Sequence, residues 1–180
     1  MLDILHQDHI NISRLLDVLR DKLAALRNEE TVRFDLLKDA LSYLSEVSDT
    51  RHHPREDMIY EYYVSYRCTD PTSVTSMLKD QHKLIVASGE ELREMVDMIL
   101  MDAVIPLDHV ATALERFIVL QQHHLDYEEA TVFPLLRQTL TEDDWRHLEH
   151  NWVHMTGDDP LFGRQVAERY HDLATQLLSA

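Results

Sequence analysis

Four long segments carry apolar residues in steps of three and four, and short breakers separate them. That period marks helices with one buried stripe. The first segment runs from Leu2 to Arg27 and stops at "NEE". The second runs from Val32 to Tyr66, with an interruption near Pro54. The third runs from Thr72 to Leu100, where Asp70 and Pro71 read as an N-cap and a first-turn proline. The fourth runs from Leu107 to Leu140, with Pro106 serving the same purpose. Connections this short join antiparallel neighbours, so the expected fold is all-α: an up-down-up-down four-helix bundle over residues 1–140. Residues 141–180 add a C-terminal helical extension: a short helix capped by Thr141, the loop "TGDDPLFG", and a last helix from Arg164 to Leu178. With 3 Gly and 5 Pro among 180 residues and no interdomain linker, the whole chain 1–180 reads as one domain.

The stripes themselves are unusual. The first helix gives Leu5, His9, Ile12, Leu16 and Leu19; the second gives Leu41, Leu44, Ser48, His52, Glu56, Ile59 and Tyr63. The third gives Leu78, His82, Ile85, Gly89 and Leu92; the fourth gives Leu114, Phe117, Gln121, His124, Glu128, Thr131 and Leu135. Every helix therefore turns one histidine inward, and the second and fourth add a glutamate four residues later. A single histidine on an apolar face is most often a satisfied core residue. Two glutamates and four histidines converging from four helices are another matter. Desolving them without a partner would exceed the ~5–15 kcal/mol net stability of a domain.

A shared cation removes the conflict, because imidazole lone pairs bind it and carboxylates offset its charge. In His-x-x-x-Glu the two side chains leave one helix face about 6 Å apart along the axis. Two such pairs, His52 with Glu56 and His124 with Glu128, join His9 and His82 to make six ligands, enough for two metals if the glutamates bridge. Imidazole with carboxylate suits iron, manganese or zinc, and in a bundle a di-iron centre comes first. Pro54 removes a backbone hydrogen bond, and the local kink or bulge expected there could let His53 turn inward too, which leaves open whether His53 is a ligand or only the neighbour of one, while Arg55 and Asp57 face away.

The remaining features mostly exclude. The formal net charge of −16 disfavours nucleic acid and anionic membranes as partners. No apolar run approaches the ~20 residues of a membrane span, and "MLDILHQDHI" lacks the pattern of a signal peptide. One cysteine, Cys68, forms no internal disulfide, so a cytoplasmic location is expected. His109, His123 and His171 are expected at the surface. His147, His150 and His154 are expected on an exposed face packed by Trp145 and Trp152. Tyr60, Tyr63 and Tyr127 lie near the ligand turns, as packing or as hydrogen-bond support.

The pieces "LHQDHINISRLLDVL", "HHPREDMIYEYY", "LKDQHKLI" and "QQHHLDYEEATVFPLL" resemble the hemerythrin-like HHE cation-binding family. Their order and spacing cover residues 2 to 140, and "WRHLEHNW" with "DDPLFG" resembles the tail of bacterial members. The resemblance implies a four-helix bundle around two non-heme iron ions, bridged by carboxylates and an oxo or hydroxo group. Carried over by motif, the metal ligands are His9, His52, Glu56, His82, His124 and Glu128. Oxygen carriers of the family place two histidines on the third helix as H-x-x-x-H, whereas Leu78 and Val86 stand four residues either side of His82. One iron is thereby short of a nitrogen ligand, with His53 the nearest substitute and His6 behind it. Oxygen carriers also place the last carboxylate five residues after the histidine, but the stripe favours Glu128 over Glu129. The implied function is binding or sensing of dioxygen or nitric oxide, by a monomer or homodimer, with a protein partner needed for signalling. Alternatives are turnover of peroxide or nitric oxide, iron donation for repair of iron centres, and a helical interaction protein with zinc or no metal. Repair-type relatives carry an extra N-terminal cysteine-bearing domain, whereas this chain starts at the bundle.

Overall fold

The structure is a computed structural model, and it describes residues 1–68, 77–152 and 159–179. Among the described residues every regular element is helical. The first helix is α1 (Leu2–Arg27), ended by Asn28 and by Glu29, whose φ is 57°. The second rod joins α2 (Phe34–Tyr43), a π-helical stretch (Leu44–His52) and α3 (His53–Tyr66). Helix α4 spans Leu78–Leu100 and stops before Asp102, whose φ is 63°. The fourth rod joins α5 (Leu107–Tyr127), a π-helical stretch (Glu128–Val132) and α6 (Phe133–Thr139). The proposed cap at Asp70 and Pro71 lies outside the described residues.

Helix α1 packs against α2 and α5, and α4 packs against the same two, which closes a ring of four rods. This is the all-α, up-down-up-down bundle that the periodicity predicts. Its interior is divided. One apolar cluster contains Leu16, Leu19, Leu41, Leu92, Leu114 and Phe117. Gly89 lets α4 approach α5 there: a Cβ at that position would lie 3.1 Å from the Phe117 ring. The other cluster contains Leu5, Ile59, Tyr63, Leu78, Val132 and Leu136. Each rod passes from one cluster to the other at its inward histidine, so a polar layer crosses the bundle between two apolar ones.

The two π-helical stretches share a cause. The His53 N–H bonds the Ser48 carbonyl, and the Phe133 N–H bonds the Glu128 carbonyl, each five residues back. In both cases the next residue is proline, Pro54 or Pro134. Proline offers no N–H and its ring crowds the carbonyl four residues earlier, so the ladder widens to the π spacing just upstream. The distortion expected at Pro54 thus falls on the nine residues before it. It also shifts phase along the fourth rod. After Glu128 the buried positions are Val132, Phe133, Leu136 and Leu140, while the extrapolated Thr131 is exposed and Leu135 only half-buried.

The extension contributes to both apolar clusters. Leu161, Tyr170 and Leu173 join the first, and Leu148 and Trp152 join the second. Helix α7 (Glu142–Asn151) opens with a capping box between Thr141 and Asp144. The Asp144 carboxylate also accepts two bonds from Arg67, each 2.8 Å, and one of 2.7 Å from the Tyr62 hydroxyl. At the other end Tyr43 donates to Asp159 at 2.7 Å. The last helix is shorter than its expected span from Arg164: a 3₁₀ turn (Glu168–Tyr170) precedes α8 (His171–Ser179). Among the described residues no helix is long and apolar enough to cross a membrane.

Candidate metal centre

The polar layer holds His9 from α1, His52 from the π-helical stretch, His53 and Glu56 from α3, His82 from α4, His124 from α5 and Glu128 from the second π-helical stretch. All seven are buried, and both glutamates are fully so. The side chains form two groups able to hold a metal: His9, His52, Glu56 and Glu128, and His53, Glu56, His82 and His124. Glu56 belongs to both. Its Oε1 lies 3.2 Å from His9 Nε2 and 3.1 Å from His52 Nε2, while its Oε2 lies 3.6 Å from His82 Nε2. Glu128 Oε2 lies 3.4 Å from His9 Nε2 and 3.2 Å from His124 Nε2. The Tyr60 hydroxyl donates to Glu128 Oε1 at 2.6 Å, the supporting hydrogen bond considered for this tyrosine.

The imidazoles are turned with their Nε2 atoms inward. Those of His9 and His52 are 3.0 Å apart, and those of His82 and His124 are 3.2 Å apart. Behind each ring an acceptor takes the Nδ1 proton. His9 Nδ1 donates to Glu129 at 2.8 Å, His52 Nδ1 to Asp8 at 3.2 Å, His82 Nδ1 to Asp57 at 3.1 Å, and His124 Nδ1 to Gln81 at 3.1 Å. With Nδ1 protonated, a deprotonated Nε2 presents its lone pair inward, and two Nε2 atoms facing at 3 Å need a cation between them, a proton or a metal ion. Glu56 Oε2, Glu128 Oε2 and His53 Nδ1 are buried without a hydrogen-bond partner. Such orphans are costly in a domain interior and fit a site built around positive charge.

The protonation balance points the same way. Burial would drive the His9 imidazolium down, but the facing carboxylates of Glu128 and Glu56 outweigh it and raise its pKa to about 10. Burial and then repulsion from Glu56 push the Glu128 carboxyl up to about 7. Glu56 resists burial because His52 and His9 pull it well below the usual carboxylate range. Burial, with repulsion from neighbouring imidazoles, holds His124 down at about 3 and His53 well below its ordinary value. The donor set is chemically that of a hard or borderline divalent metal, imidazole with carboxylate and no thiolate.

The arrangement corrects two expectations. Arg55 and Asp57 do not face away: Arg55 is buried, and Asp57 holds His82. The widened turn before Pro54 changes the helix phase so that the successive residues His52 and His53 are both buried. His6, the second candidate for the missing nitrogen, belongs to neither group; it is exposed and shares Glu129 with His9, at 2.8 Å. His109, His123, His147, His150 and His171 are exposed, while His154 lies outside the described residues. Asp8 and Gln81 went unnoticed in the sequence as acceptors, Asp57 was expected to face away, and Glu129 was weighed only as a ligand. A usable signal exists for two of them: Asp8 and Gln81 each immediately precede an inward histidine and reach across to the histidine of the next rod.

A cleft of about 430 Å³ opens beside the second group, with His53, His82, Asp57, Val86 and Ala87 in its wall and Lys79 and Lys83 at its edge. Val86 is one of the two positions four residues from His82.

A four-rod bundle with a layer of buried histidines and glutamates able to hold cations defines a class of metal-binding helical proteins. The family model for the Hemerythrin HHE cation binding domain matches residues 1–136, and the chain belongs to that family. No curated protein matches it.

Proposed function

We propose that the two groups hold a pair of non-heme iron ions and that the protein binds or senses dioxygen or nitric oxide. The observation that carries this reading is the division of ligands about Glu56. His53, His82 and His124 stand on one side, and His9, His52 and Glu128 on the other. His53 makes up the nitrogen that the third helix lacks, so five imidazoles are available although α4 carries only one. The metal pair, when bound, would supply electrons and open coordination for a diatomic molecule. The chain's own residues orient the imidazoles through Asp8, Asp57, Gln81 and Glu129, seclude the centre between two apolar clusters, and leave one approach beside His53 and His82. That cleft also favours a second reading, turnover of peroxide or nitric oxide, since a small substrate reaches the centre from it.

Elemental analysis of the purified protein with its aerobic visible spectrum tests the proposal. Two irons per chain, with the charge-transfer absorption of a bridged ferric pair, is the expected result. A colourless protein holding stoichiometric zinc overturns it. Catalytic loss of added peroxide or nitric oxide would favour the second reading over simple binding.

A further inference from the structure

Arg55 retains 8% exposure, an unusual placement for a guanidinium. Its guanidinium carbon lies 5.1 Å over the ring of Trp152. Its Nη1 lies 4.0 Å from Asp8 Oδ2, and that same oxygen accepts from His52 Nδ1 at 3.2 Å. Trp152 comes from the extension, beyond the residues matched by the family. A continuous path of contacts therefore leads from the end of α7, through Arg55 and Asp8, to one imidazole of the metal centre.

We infer that Trp152 and Arg55 are positioning residues, through which the C-terminal extension orients His52 and sets how tightly the His9–His52 side of the centre holds its ion. This rests on the reading of His52 as a ligand. Asp8 is only half-buried, and a carboxylate at that depth has solvated orientations open to it. The guanidinium fixes it over His52, which keeps the Nδ1 proton outward and the Nε2 lone pair inward. The indole face in turn keeps the guanidinium from reaching water, because a cation over an aromatic ring is favoured most where both are desolvated. The tryptophan is itself held. The bonds of Asp144 to Arg67, Tyr62 and Thr141 anchor α7 on α3, and Trp152 follows one residue after that helix. The other side of the centre has its own supports, Asp57 and Gln81, which the extension does not reach through this path.

The test is an anaerobic cobalt(II) titration of the full chain, with chelator competition to obtain both affinities. In the wild type two ions bind. Trp152→Leu is expected to weaken one of them by roughly 10–100-fold and leave the other unchanged. Trp152→Phe, which keeps an aromatic face under Arg55, restores most of the loss. Asp159→Asn, which loosens the extension at Tyr43 instead, alters neither affinity. In Trp145→Phe, which keeps Trp152 as its one tryptophan, the emission of Trp152 shifts as the ion on the His9–His52 side binds. Should Trp152→Leu fail to fold, Arg55→Lys carries the same comparison, since an ammonium cannot lie flat on the indole. Unchanged affinities in these variants, equal weakening of both ions, or no rescue by phenylalanine overturns the inference alone. A wild-type chain that binds no ion overturns the site reading and the inference with it.

Discussion

The imidazole of His53 lies stacked on that of His82, with ring centroids 4.1 Å apart and planes 13° from parallel. The two rings come from different rods, and they meet because the π-helical turn before Pro54 buries His53 beside His52. His82 in turn faces His124, so three imidazoles from three elements form one side of the centre. If His53 is a ligand there, His53→Ala should remove about half of the bound metal while the chain stays helical. Elemental analysis beside far-ultraviolet circular dichroism reads this directly, and a full metal complement in the variant would remove His53 from the ligand set.

Glu56 and Glu128 should not be equivalent. Glu56 turns one oxygen toward His9 and His52 and the other toward His82, whereas Glu128 has Oε1 engaged by Tyr60. Glu56→Gln is therefore expected to lower occupancy on both sides of the centre. Glu128→Gln should lower it chiefly on the His9–His52 side. Metal-to-protein ratios measured across increasing chelator concentration distinguish the two patterns.

Pro54→Ala returns a backbone N–H to the position where the ladder widens. The expected outcome is relaxation of the preceding turn toward α geometry, which rotates His52 and His53 relative to one another. Metal content should fall even though alanine is the better helix former. Pro134→Ala makes the same test at Glu128. A crystal structure of Pro54→Ala with the Leu44–His52 turn unchanged would show that the proline is not its cause.

Metal uptake should release protons. The His9 site holds its proton up to about pH 10 and Glu128 up to about pH 7, so below those values a cation has to displace them. Affinity is expected to rise steeply between pH 6 and 9, by up to about tenfold per unit for each proton displaced. Calorimetry of the same titration in buffers of different ionisation heat counts the protons.

Asp144 should govern how the extension holds. Its hydrogen bonds from Arg67 keep its carboxyl below the ordinary range, against a smaller opposing effect of burial. A depressed folded pKa means the stabilisation is fully present above the unfolded value of about 4 and is lost as pH falls through the folded one. Asp144→Ala is expected to cost about 2–3 kcal/mol at neutral pH, the scale for losing buried bonds to a charged group. Its destabilisation relative to wild type should shrink in acid. Thermal melts at pH 7 and pH 3 measure both.

The sequence carried most of this architecture, because the step of three and four survives along each rod and places His9, His52, Glu56, His82, His124 and Glu128 on buried faces. It failed where the helix leaves α geometry. Counting in steps of three and four put Thr131 on the inner face, although the turn at Glu128 hands that role to Val132. His53 was reachable only as a consequence of Pro54. Asp8 and Gln81 were hidden for another reason: each serves a histidine more than forty positions away, so its place just before an inward histidine gains meaning only once the rods are paired. The burial of Arg55 depended likewise on an indole almost a hundred residues later.

The acceptors behind the rings also give the centre a direction. On the His9–His52 side both imidazoles lean on carboxylates, Glu129 and Asp8, and two glutamates point inward. On the other side His82 leans on the Asp57 carboxylate but His124 on the neutral amide of Gln81, and Glu56 is the one inward glutamate in the group. Negative charge is thus graded along the axis joining the two groups. A cation held between His9 and His52 would therefore meet more negative charge than one held toward His124, on the side where the cleft opens.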